Sequence, residues 1–99
     1  MEYLPTYETN TSECGPAVGP LMRDMVAESF PEHDPTTIIQ LTSGECKPAE
    51  GYTSARWVNL GVGDIDWIGR IIIHRTGHDL ATMRHRVTVE RYIPTLEQA

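Results

Sequence analysis

"RIIIHRTGHDLATMRHRVTVERY", Arg70 to Tyr92, holds three of the four histidines and five of the eight basic residues of the chain. It reads as two β-strands, roughly Asp66 to Arg75 and Asp79 to Ile93, joined by a turn at "RTGHDL". The second strand alternates. Ala81, Met83, Val87, Val89 and Ile93 share one face with His85, and Thr82, Arg84, Arg86, Thr88 and Glu90 share the other. Such alternation predicts one face on a core and one toward solvent or a partner. The first strand is apolar on both faces at Ile71, Ile72 and Ile73. A strand of that kind sits centrally in a sheet, or under a helix on one side and another chain on the other.

Outward from this stretch the remaining elements follow. "SARWVNLGV" places Val58, Leu60 and Val62 on one side of a strand and Ala55 and Trp57 on the other. "TTIIQLTS", Thr36 to Ser43, is β-branched and predicts a further strand. "GPLMRDMVAESF" is the one helix candidate, with Pro20 suited to its first position and Pro31 ending it. Leu21 and Met25 form an i, i+4 stripe with Met22 and Val26 beside it. The expected fold is therefore α+β: one short helix on a mainly antiparallel sheet of about four strands, ending in a long β-hairpin. Residues 1–15 read as an extended arm with Tyr3, Leu4 and Tyr7 for apolar grip, residues 16–94 as a single domain, and 95–99 as a frayed tail.

Ninety-nine residues suit one core. No apolar run approaches a membrane span, and the N-terminus lacks the basic and apolar regions of a secretory signal. The expected setting is thus the cytoplasm of a host cell, or a virion, and Cys14 and Cys46 are expected to be free thiols. The net charge of −6 lies entirely in residues 1–49, while residues 50–99 balance six acids against six arginines. The two halves are thereby complementary, which favours arginine–carboxylate pairing within the chain or between copies.

The opening stretch supports three chemistries. His74, His78, Asp79 and His85 could ligate a metal. With Gly77-His78 as a two-residue turn, however, Thr76 faces Asp79, His74 faces Ala81 and Arg70 faces His85. His74 and His85 then stand too far apart to share an ion without His33 or a second chain. The second chemistry is anion binding. Arg84 and Arg86 share a face about 7 Å apart and could grip phosphates as a β-ribbon, but the acidic chain disfavours nucleic acid. The third is a thiol. "CGPA" (Cys14 to Ala17) ahead of a helix resembles the nucleophile turn of papain-related cysteine peptidases. That resemblance implies Cys14 as nucleophile and His74, His78 or His85 as base. It departs from the family pattern where no glutamine precedes the cysteine and where Pro20 would fall inside a helix begun at Cys14.

The expectation that outweighs these is a non-enzymatic interaction protein with no catalytic residues, no metal and no cofactor. It acts through its surface on a protein partner and associates with itself. By size and type it compares with virion assembly or connector components and with inhibitors carried by mobile elements. The nominated contact residues are Ile71, Ile72, Ile73, Arg70, Arg84, Arg86, Trp57, Trp67 and Tyr92, since interface cores favour aromatics and arginine.

Overall fold

A computed structural model of the chain describes residues 6–63, 66–77 and 79–93. Strand β4 (Asp66–Arg75) and strand β5 (His85–Ile93) pair antiparallel, with Arg75 opposite His85, Ile73 opposite Val87 and Arg70 opposite Glu90. The two-residue turn expected at Gly77-His78 is therefore wrong in register. The link between the strands runs from Thr76 to Arg84, and of its residues only His78 lies outside the described ones. Asp79 explains the difference. Its carbonyl accepts from the amides of Thr82 (3.0 Å) and Met83 (2.8 Å), and its carboxylate accepts from Ala81 N (3.0 Å). These local bonds satisfy backbone groups that a continued ladder would otherwise take. Thr76 then closes the link, its amide donating to Arg84 O and its hydroxyl accepting from Arg84 N.

Two more strands follow on the far side of β4. Strand β3 (Ser54–Val62) pairs with it, and strand β2 (Ile38–Cys46), after a short 3-10 turn, pairs with β3. The fifth strand comes from the stretch read as an arm. Strand β1 (Thr6–Cys14) runs along β5 from Thr6 opposite Ile93 to Cys14 opposite His85. The sheet has five strands, not about four, in the order β1-β5-β4-β3-β2, all antiparallel. Strand β1 escapes a hydrophobic reading because it is an edge strand of Thr, Glu, Asn and Ser with no buried residue. Its β-branched threonines suit a half-exposed pleat.

Helix α1 (Val18–Ser29) takes Pro20 at its third position, two residues later than expected and still within the turn whose amides have no helical partner. It lies over β5 and β1. Met25 and Phe30 from this segment meet Val58, Leu60, Ile71, Val87 and Val89 in a single core, with Val18, Leu21, Met22 and Val26 packed against it. Phe30 seats on Gly69, where an added Cβ would lie 2.9 Å from the phenyl ring and would strike the backbone of β5. So the α+β class holds, and the core occupies one face of the sheet only. The termini at 1–5 and 94–99, including Tyr3, Leu4 and the tail, lie outside the described residues. Among the described residues no helix is long and apolar enough to cross a membrane.

Candidate interaction face

Register decides which side chains meet. Residues opposite one another in the ladders share a face, so Asn10, Val89, Ile71 and Val58 lie under α1, and their sequence neighbours point the other way. On that other face one rung crosses all five strands as Thr11, Thr88, Ile72, Trp57 and Gly44. The next rung is Glu13, Arg86, His74, Ala55 and Cys46. No helix covers this face, and Ala55 and Gly61 are its buried residues among those described.

The open face is built from contacts along it rather than by a cover. At one corner Trp67 stacks on Tyr92 at 4.7 Å, and the edge of Tyr7 meets both rings at 6.2 Å. Offset and edge-to-face pairs of this kind add about 0.5–1.5 kcal/mol each beyond the area they bury. The guanidinium of Arg70 stands 5.5 Å from the Tyr7 ring and donates to Glu90 Oε1 at 2.5 Å. Thr11 and Thr88 share a hydroxyl–hydroxyl bond of 3.1 Å, and Asn59 donates to Thr42 at 3.0 Å. Trp57 lies across Gly44, where a Cβ would come within 2.7 Å of the indole. Glycine there lets a large ring lie along the sheet.

At the opposite end the loop between β2 and β3 folds onto the face. Ala49 N donates to His74 Nδ1 at 3.2 Å, so the imidazole proton sits on Nε2. Tyr52 leans on the His74 ring at 5.5 Å, and Arg86 covers Tyr52 at 4.9 Å. Burial, with the charge of Arg86 added, holds the His74 pKa below its usual value. Arg84 and Arg86 both reach Glu13, at 3.5 and 3.4 Å. On the helix side Arg91 contacts Glu32 (Nη1–Oε1, 2.6 Å), the carbonyl of Ser29 (3.0 Å) and, more distantly, Glu8 (3.7 Å). Hydrogen bonding to Arg91 is the main reason the Glu32 carboxyl titrates at about 2. Glu13, Glu8 and Glu32 all belong to the acidic first half, so these arginines find their carboxylates within the chain.

The nominated contact residues divide by face. Ile72, Trp57, Trp67, Tyr92, Arg70 and Arg86 come together on the open face, and Arg84 joins them through Glu13. Ile71, 2% exposed, belongs to the protein's own core, and Ile73 packs against that core. The isoleucine contact expected from "RIIIHR" is thus reduced to Ile72. Sequence reasoning gave Tyr7 only a general apolar grip and missed Glu13, both in the stretch read as an arm. Their two-residue spacing with Thr9 and Thr11 along one face is the signal that could have found them.

The structure separates His74 from His85 by geometry other than the distance argued from sequence. His74 and His85 are one rung apart on adjacent strands but point to opposite faces. Among the described residues no three His, Cys, Asp or Glu side chains converge. His78 and Asp64 are outside the described residues. Cys14 is on β1, not at the start of α1, and it stands opposite His85 on the helix face. His85 is almost fully buried, and its Nδ1 donates to the carbonyl of Gly15 at 2.8 Å. Both cysteines are free thiols. Comparison with known proteins finds no matching family, no matching curated protein and no matching solved structure.

Proposed function

We propose that the chain is a small non-enzymatic interaction protein that works by its surface, and that the open sheet face is where it associates with a second copy of itself. The observation that carries this reading is the gathering of Ile72, Trp57, Trp67, Tyr92 and Tyr7 on a face that no helix covers. Strands of nine or ten residues at about 4.8 Å spacing make that face roughly 20 by 30 Å, close to the ~800 Å² each partner gives to a standard interface.

Charge supports an identical partner. A chain of net charge −6 repels its copy unless the contact zone carries none of that excess negative charge. On this face Arg70 is held by Glu90, and Arg84 and Arg86 by Glu13. A ten-stranded, two-layer assembly would bury the aromatic corner without bringing like charges together. Assembly proteins of virions and inhibitors of host systems work by such surfaces, and either setting accommodates this one. The test is native mass spectrometry with Ile72→Asp. The wild-type chain should run as a dimer or larger and the variant, folded by circular dichroism, as a monomer. A wild-type chain that stays monomeric at high concentration removes the proposal.

A thiol-dependent hydrolase is the second reading, because Cys14 and His85 are register partners on one face. On that reading Cys14 is the nucleophile and His85 the base. Its test is alkylation by iodoacetamide at neutral pH: Cys14 should react much faster than the exposed Cys46. Equal or slower reaction sinks it.

A further inference from the structure

The chain has seven arginines. Arg70, Arg84, Arg86 and Arg91 each lie within ion-pair distance of a carboxylate. Arg56 and Arg75 do not pair with any acid among the described residues, and both line the same cavity. The cavity, about 760 Å³, lies on the helix face between the start of α1 at Val18 and strands β2 and β3. A volume of that size falls within the usual range for small-ligand sites.

The register explains why the two guanidinium groups share it. Arg56 stands opposite Ile73, and Arg75 is two residues further along the same strand, opposite Ser54. Both therefore point to the helix face from adjacent strands, one rung apart. Arg75 also stands opposite His85, whose Nδ1 is committed to Gly15. The Nε–H of Arg75 is buried and has no acceptor among the described residues. Leaving a buried charged donor unsatisfied costs more than a neutral one, so the Arg75 guanidinium stands uncompensated beside the cavity. Arg56 is exposed and donates only to Ser43 Oγ, at 3.2 Å. Glu45 is the one carboxylate lining the cavity. It stands opposite Arg56 in the ladder but forms no ion pair with it. Two guanidinium groups against one carboxylate leave the cavity positive in an acidic protein.

We infer that this cavity binds an oxyanion, the phosphate or carboxylate group of a small ligand, held between Arg56 and Arg75. Planar guanidinium forks match both anions in bidentate geometry. The hydroxyls of Ser43 and Ser54 line the same walls and supply neutral donors. The site is on the face opposite the proposed self-association surface, so either assignment can fail alone.

The experiment is a titration of the ¹⁵N-labelled full chain with sodium phosphate, and separately with citrate, at ionic strength held constant with sodium chloride. The readout is the arginine Nε–H signals. Arg56 and Arg75 should shift and saturate while Arg70 and Arg91 stay still. The tighter of the two anions identifies the source as phosphoryl or carboxylate. Arg75→Gln and Arg56→Gln should each weaken binding about tenfold or more, the loss of a charge-assisted hydrogen bond. Arg56 is exposed, so its variant keeps the fold even if Arg75→Gln does not. No saturable shift with either anion overturns the site, as do equal shifts at all arginines. Native mass should be unchanged by Arg56→Gln, which separates failure here from failure of self-association.

Discussion

The two faces of this sheet are made from the same five strands and use their charges in opposite ways. On the open face Arg70 pairs with Glu90, Arg84 and Arg86 share Glu13, and the aromatic side chains hold one another. On the helix face the apolar residues vanish under α1 and Phe30, while Arg56 and Arg75 are left without a carboxylate partner among the described residues. A face whose arginines already have carboxylate partners suits a flat contact with an identical chain. A face with unmatched guanidinium groups suits a ligand that brings its own charge. The difference separates two kinds of binding that net charge alone would merge.

The sharpest way to break the comparison is to truncate neighbours on one strand. Ile71→Ala should cost about 3–4 kcal/mol in urea unfolding, because its side chain is fully packed. Ile72→Ala, half-buried on the open face, should cost the monomer about 1 kcal/mol. Equal costs would mean that the open face is a second core. The next effect is at the glycines. Gly69→Ala meets the backbone of β5 and the Phe30 ring and should destabilise by about 2–3 kcal/mol. Gly44→Ala meets only the Trp57 indole, which can turn aside, and should cost about 1 kcal/mol while changing Trp fluorescence.

The smaller effects are titrations, one on each face. On the open face the folded His74 pKa is below the ordinary value of 6.5. Its neutral form accepts from Ala49, so stability is fully present above the unfolded pKa and drains as pH falls through 6.5 toward the folded pKa. The urea midpoint should fall across that window in the wild type and not in His74→Ala. On the helix side Glu32 titrates at about 2 instead of 4.5. Its contribution is present above 4.5 and lost as pH falls toward 2. The pair is well exposed, so solvent screening keeps it to about 1 kcal/mol or less. Glu32→Gln should flatten the stability profile between those limits, and an unchanged slope would show that Arg91 contributes nothing there.

How much of this was legible beforehand follows from where each signal lives. Strand β3 was readable residue for residue, since Val58 and Leu60 alternate with Trp57 and Asn59 against a real core. The alternation from His85 to Val89 was equally plain, because burial strengthens a period of two. What failed was set by polar groups. Asp79 organises the link through three hydrogen bonds that no hydrophobic pattern announces, and the strand start and register moved with it. Strand β1 was hidden because a polar edge resembles a loop. The divided fate of Ile71 and Ile72 was half visible: the sequence requires both faces to be apolar there without saying which one the chain itself covers.

Strand β1 and helix α1 both pack on β5, the last strand to be made. Consequence follows in time. During synthesis the N-terminal elements have no docking partner until β5 has left the ribosome, because Val87 and Val89 form the centre of the core. Contacts that span nearly the whole chain close slowly. Meanwhile the waiting half carries all of the excess negative charge. Like charge of this kind repels other unfinished chains, and Arg84, Arg86 and Arg91, which later partner it, arrive on the segment that completes the sheet.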